Sequence, residues 1–150
     1  MRVDPKRSKI MSAIKAKNTK PELIIRKALH SRGYRFRIHS NNFPGHPDIV
    51  LPKYKSIILV NGCFWHKHDC HIFNPKRKLS SAWASKIDGN VARDKRNINA
   101  YINAGWKVFI VWECSIQGKT KQPLDVVINV IINWLEGDEP GVSEISGLSN

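Results

Sequence analysis

Apolar positions recur with two periods along the 150-residue chain, and the places where the period changes divide it into elements. Thr19-Lys-Pro-Glu22 reads as a helix start, with Thr19 suited to cap, Pro21 tolerated in the first turn and Glu22 able to close a capping box. Leu23, Ile24, Lys27 and Ala28 continue that helix to Gly33. Tyr34-Arg-Phe-Arg-Ile38 alternates apolar and basic side chains, which predicts a half-exposed strand. After a loop through Asn41 to His46, the runs Pro47–Leu51 and Ser56–Val60 predict an antiparallel pair turning at residues 52–55. A basic loop spans residues 73–79.

Ser80 or Ser81 can cap a long helix in which Trp83, Ile87, Val91, Ile98 and Ile102 recur at helical spacing. Lys86, Asn90, Arg93, Asp94, Lys95 and Arg96 form its other face, Gly89 weakens its middle, and Gly105 is a reasonable stop. Trp106–Trp112 predicts a central strand. Pro123 opens a last helix with Leu124, Val127, Ile128, Ile131, Ile132 and Leu135 as its buried stripe. No internal repeat or second-domain boundary interrupts this order, so residues 1–136 read as one domain and 137–150 as a disordered tail rich in glycine, serine and acids. Residues 1–18 form a basic arm with Ile10, Met11 and Ile14 as apolar tips, either a frayed terminus or an arm that lies along DNA.

Charge narrows the class of partner. Lysine and arginine number 25 against 12 acids, a net charge of +13, so a polyanion is the first partner to consider. A soluble domain with an incidentally basic surface is the bland alternative, and membrane-surface binding is a weaker rival. The start lacks an apolar signal region and no run is long enough to span a bilayer, which points to a cytoplasmic protein without membrane association. Three cysteines, an odd number, fit a reducing compartment better than a disulfide framework.

Chemistry concentrates between Gly62 and His71, where two of the three cysteines and three of the six histidines fall within ten residues. Zinc takes tetrahedral sulfur and nitrogen ligands, and Cys63, His68 and Cys70 offer three. Cys114, at the end of the apolar run 106–112, is the remaining thiol and the candidate fourth ligand. The competing reading is three ordinary thiols with solvated histidines. His66 stays outside the set.

Asp48 opens its strand from a loop, which puts its carboxylate at an edge of the sheet where it can hold magnesium against a phosphate. Nuclease cores of that kind usually add an acid and a lysine on the next strand, and Ile57-Ile-Leu-Val60 supplies neither. His66 is the replacement proton acceptor, since imidazole exchanges a proton near neutral pH, and Asp94 could orient its ring. Against this, His66 could merely help the zinc site, Asp94 could be a solvated partner of Arg93 or Lys95, and Glu22 could simply cap its helix.

Cys-Phe-Trp-His with the following histidine and cysteine, the preceding Pro-Asp, the later Asn-Val-x-Arg-Asp and the Val-Trp-Glu-Cys block together resemble the very short patch repair (Vsr) DNA mismatch endonucleases. The resemblance runs from about Arg7 to about Trp134 and includes the order and spacing of these blocks. It implies an α/β fold with a restriction-endonuclease-like core, a central mixed sheet flanked by helices and a structural zinc site. It also implies magnesium-dependent hydrolysis of one DNA strand on the 5′ side of the thymine in a thymine–guanine mismatch. Such mismatches arise in that family by deamination of 5-methylcytosine, which links it to a cytosine-5 methyltransferase; a single-strand cut needs only a monomer.

Carried over by position, the metal-binding aspartate matches Asp48, the catalytic histidine His66, the acid of the N-terminal helix Glu22 and the supporting helix aspartate Asp94. The zinc ligands match Cys63, His68, Cys70 and Cys114. Intercalating aromatics match Phe64, Trp65 and Trp83, with Met11 and Ile14 approaching from the minor groove and Lys86 and Asn90 near the mismatched bases. Two positions depart from the best-known pattern. Val60 stands where a threonine lends its backbone carbonyl to metal, which a valine can still do. Asn61 replaces a histidine, which leaves His66 as the sole imidazole candidate.

Overall fold

The structure, a computed structural model, describes residues 18–70 and 79–148. Met11, Ile14 and the remainder of the N-terminal arm before Asn18, together with most of the basic loop 73–79, lie outside the described residues. In chain order the elements are α1 (Lys20–Ser31), β1 (Arg37–Ile38), β2 (Ile49–Leu51), β3 (Ser56–Asn61), α2 (Ser81–Asn103), β4 (Lys107–Trp112), α3 (Leu124–Glu136) and β5 (Val142–Ile145). Short 3-10 turns at Pro52–Tyr54 and Glu113–Ser115 follow β2 and β4.

The strands form one five-stranded mixed sheet in the order β1-β2-β3-β4-β5. β1 and β2 pair antiparallel, as do β2 and β3, while β4 lies parallel to both β3 and β5. The apolar runs of β3 and β4 are continuous because both faces of the sheet are covered. Successive side chains alternate between faces. Ile58, Phe109 and Val111 therefore join Ile25 and Leu29 of α1 and Val127, Ile128, Ile131 and Leu135 of α3. Ile57, Leu59, Val108 and Ile110 point the other way and meet Tyr101 of α2. Each fully buried isoleucine contributes about 1.5–3 kcal/mol.

Local signals mostly act as expected. Ser80 caps α2 by accepting the Trp83 N–H at 3.3 Å. The chain leaves α2 through Gly105, whose φ of +90° lies in the left-handed region. At α1 the mechanism differs from a capping box on Thr19, whose side chain makes no capping bond. The Glu22 carboxylate reaches back one residue further, to the Asn18 N–H at 2.8 Å.

Three expectations need correction. The predicted strand Tyr34–Ile38 contracts to Arg37 and Ile38, both exposed, while Tyr34 and Phe36 pack on the core from a non-strand segment. Leu124 faces solvent at the start of α3 and does not belong to its buried stripe. The stretch 137–150 is not a loose tail throughout, because Val142–Ile145 adds β5 to the edge of β4. Backbone pairing holds that strand where its sequence offers only Ile145 to the core, so its polar composition disguised it.

Candidate active site and metal centre

The topology brings the chemistry to one end of the sheet. β3 and β4 are parallel, so Asn61 and Trp112 end side by side and the loops that follow them leave from the same edge. β2 runs the opposite way, so the residue before it, Asp48, lies beside the end of β3, where its Oδ2 accepts the Val60 N–H at 2.7 Å. β1 runs opposite to β2, with Ile38 paired to Ile49, and His39 just past β1 lies across from Asp48. The His39 N–H donates to the Asp48 carbonyl at 3.4 Å. The loop between them is pinned from α2, where the Tyr101 hydroxyl donates to the Pro44 carbonyl, and from the residue before β4, where the Phe43 ring meets Trp106 edge-on at 4.9 Å.

Glu22 extends from α1 into the same place and is only 3% exposed. One of its oxygens, Oε1, lies 3.1 Å from His39 Nε2, and the other pairs with Arg26 at 3.6 Å besides accepting from Asn18. Its carboxyl also meets that of Asp48. Burial pushes the Asp48 carboxyl well above the usual carboxylate range, reinforced by the hydrogen bond and charge of Glu22. Burial acts to raise Glu22 too, but its hydrogen bonds with Asp48 and His39 and the charge of His39 outweigh it and hold Glu22 below its ordinary value. Ligand atoms of Glu22, His39 and Asp48 lie within 4.8 Å of one another. Two facing carboxyls at the end of a sheet are a donor set that a hard divalent cation would satisfy.

His66 lies in the turn after β3, held by its N–H to the Gly62 carbonyl at 3.2 Å. Its Nδ1 hydrogen-bonds to Asp94 Oδ2 on α2. A cleft of about 970 Å³ is lined by Glu22, His39, Asp48, Val60, His66 and Asp94 among others, with Lys20, Lys86 and Arg93 supplying positive charge. The carboxylates and the imidazole thus share one cavity.

Behind His66 the chain closes a second group. The Sγ atoms of Cys63, Cys70 and Cys114 and a ring nitrogen of His68 lie within 4.8 Å of one another. The His68 N–H returns to the Cys63 carbonyl at 2.9 Å, and the His68 ring stacks on Trp112 at 4.1 Å with a 10° tilt. Cys63 Sγ accepts the Cys114 N–H at 3.4 Å, and Cys114 Sγ accepts the Gly147 N–H at 3.2 Å. Burial raises the Cys63 and Cys114 thiols above their ordinary values, and burial lowers His68. Adjacent sulfurs around a tetrahedral zinc lie about 3.8 Å apart, within the spread of this group. Three thiols and an imidazole facing one point fit a soft or borderline metal.

Phe64, Trp65 and Trp83 come together as expected, with Trp65 and Trp83 5.1 Å apart and Phe64 5.1 Å from Trp65. Trp65 is buried against Ile87, so Phe64 and Trp83 carry the accessible part of the group. Asn90 donates to the Trp65 carbonyl at 3.2 Å and Lys86 Nζ sits 5.8 Å from the Trp65 ring, which ties both residues to the aromatic group.

His66 is not the only imidazole available: His39 joins Glu22 and Asp48 in the cleft. The signal for it lay in the hairpin. A strand ending at Ile38 and a partner starting after Asp48 must place His39 opposite Asp48. Glu113 is the other residue without an expected role; its Oε1 accepts the Cys63 N–H at 3.2 Å and fixes the first residue of the cysteine loop.

Comparison with known proteins agrees with the motifs. The profile of the family described as DNA mismatch endonuclease Vsr matches residues 3–72. The chain is 43% identical over 116 residues to the type II nicking enzyme V.XorIIP of Xanthomonas oryzae pv. oryzae, covering 77% of this chain and 85% of that one. It is 36% identical over 132 residues to the DNA mismatch endonuclease Vsr of Escherichia coli, covering 88% and 85%. The type II nicking enzyme V.NmeAIP of Neisseria meningitidis is 40% identical over 114 residues, covering 76% and 81%.

Proposed function

The chain belongs to the Vsr family of DNA mismatch endonucleases, and from that premise we propose that it hydrolyses one strand of duplex DNA on the 5′ side of the thymine in a thymine–guanine mismatch. The observation that carries this reading is the single cleft shared by the Glu22 and Asp48 carboxylates and the His66–Asp94 pair.

His66 is the general base. With Nδ1–H donated to Asp94, the lone pair of Nε2 is left to take a proton from the attacking water. Asp94 fixes that tautomer and stabilises the imidazolium that results. Asp48, Glu22 and the Val60 carbonyl would hold magnesium, which polarises the scissile phosphate and stabilises the charge that develops on it. Cys63, His68, Cys70 and Cys114 would hold zinc in a closed structural site that stiffens the loop carrying His66.

Phe64 and Trp83, backed by the buried Trp65, form the aromatic group that stacks against the opened step. Unstacking costs least at a mismatch, so recognition is partly mechanical. Lys86 and Asn90 flank the mismatched bases, while Met11 and Ile14, outside the described residues, are assigned to the minor groove by the family resemblance alone. The excess of 13 positive charges supports DNA as the partner through counterion release. Its substrate would be generated beside a cytosine-5 methyltransferase in the cytoplasm, and a monomer suffices. Among the described residues no helix is long and apolar enough to cross a membrane.

Two other readings stay in view. Relatives named type II nicking enzymes are compatible with a nickase of relaxed mismatch requirement, and a zinc-stabilised DNA-binding module would bind without cutting. A panel of matched and mismatched duplexes in varied flanking contexts, incubated with purified protein and magnesium, separates the three. Nicking confined to thymine–guanine duplexes is expected. Equal nicking of matched duplexes would establish the relaxed nickase, and salt-sensitive binding with intact strands the binding module.

A further inference from the structure

Glu22 and Asp48 match carboxylates expected at the metal, but nothing in that assignment uses His39, whose side chain is only 10% exposed in the same cleft. We propose that His39 is a direct ligand of the divalent cation, so that the site takes manganese or a similar first-row ion in preference to magnesium. The proposal rests on the nuclease reading of this cleft.

Two observations point the same way. His39 Nε2 stands 3.1 Å from Glu22 Oε1. Adjacent ligands of an octahedral site with bonds of about 2.1 Å lie about 3 Å apart, so this spacing suits two ligands of one ion as well as it suits a hydrogen bond. All three residues offer a ligand atom within the same 4.8 Å.

The chemistry follows from the donor types. Magnesium prefers oxygen and keeps its waters, whereas an imidazole nitrogen favours manganese, cobalt and their neighbours. One nitrogen beside two carboxylates therefore shifts selectivity without abolishing magnesium binding. Orienting Glu22 alone would not shift it.

The test uses zinc-loaded full-length protein without DNA, so that it does not depend on activity. Manganese and magnesium affinities are measured by calorimetry for the wild type, His39→Gln and Asp48→Ala, and electron spin echo modulation of bound manganese reports a coordinated nitrogen. Glutamine keeps an N–H donor for Glu22 but removes the imidazole. The expected result is a nitrogen modulation present in the wild type and lost in His39→Gln, with the manganese-to-magnesium affinity ratio falling about tenfold or more. Unchanged zinc content and melting temperature in His39→Gln make that loss one of ligation. A modulation that survives His39→Gln, or an unchanged ratio, overturns the proposal and leaves the nuclease reading intact. Absence of any cation binding that Asp48→Ala abolishes would overturn both.

Discussion

Cys63, His68, Cys70 and Cys114 close on one another behind the cleft, while Glu22, His39 and Asp48 face into it. The first group takes three of its four members from eight consecutive residues, and short backbone bonds such as His68 N–H to Cys63 hold its shape. The second takes its members from α1 and from the two ends of the β1–β2 connection, and the pairing of β1, β2 and β3 with the packing of α1 unites them. One is a staple that offers three thiols and an imidazole, enough to fill the four positions of a tetrahedral metal. The other leaves hard ligands available to a substrate's oxygen. A protein that needs a rigid loop beside a reactive centre gains from keeping these jobs apart, because a fully ligated metal has no position left for chemistry.

The sharpest way to break that division is to remove a ligand from the staple. Structural zinc contributes about 10–16 kcal/mol in small zinc domains, against a total stability of about 5–15 kcal/mol for an ordinary domain. Cys114→Ser should therefore lose zinc, lower the melting temperature by roughly 10 °C or more and abolish nicking with it. The serine would also lose the sulfur that accepts the Gly147 N–H behind β5. Zinc content, calorimetry and a nicking assay on one preparation check this. Full nicking by a zinc-free, stable variant would mean that the cysteine group does not brace the cleft.

A smaller effect is expected where the staple meets the cleft. His66 is half-buried and, among the described residues, makes its ring hydrogen bond to Asp94 alone, so His66→Ala should leave zinc content and melting temperature nearly unchanged. Nicking should fall roughly 10²–10⁴-fold, the usual contribution of a general base. Asp94→Asn keeps the ring and mispositions it, a loss of about 10²-fold. Single-turnover rates on a mismatched duplex give both numbers. If His66→Ala instead released zinc, the histidine would belong to the staple and the two regions would not be separate.

The contrast also explains what the sequence could show. A cluster of cysteines and histidines within ten residues is visible without a fold, and β3, β4, α2 and α3 were legible because covered strands and amphipathic helices write their burial into the chain. β5 was not, since an edge strand that buries only Ile145 is held by backbone bonds that any sequence can make. Asp48, His66 and Asp94 stood out through the motif blocks around them. His39 had no such frame: its position depends on the register between Ile38 and Ile49, a tertiary fact carried by two exposed residues.

The smallest effect concerns the resting state of the open group. Asp48 titrates well above its ordinary 3.8, because of burial first and the neighbouring Glu22 second. A carboxyl whose folded value is raised contributes its full stability below the unfolded value and loses it as pH rises through the folded one. Glu22, held below its ordinary 4.5, contributes in the opposite sense: its stability is present above 4.5 and lost as pH falls through its lowered value. Without a divalent cation, the wild type should be most stable near the ordinary carboxylate range and weaken as pH rises. Asp48→Asn removes that upper limb, since the amide oxygen can still accept the Val60 N–H while its NH₂ donates to Glu22. At neutral pH the variant should be about 0.5–2 kcal/mol more stable than the metal-free wild type, and inactive. Adding magnesium should raise the wild type and leave Asp48→Asn where it was, because a cation that neutralises two facing carboxylates stabilises only the chain that still has both. Chemical denaturation between pH 4 and 8, with and without magnesium, measures the difference. A variant less stable than the wild type across that range would show that the open group stabilises the fold as the cysteine group does, and the distinction between them would be lost.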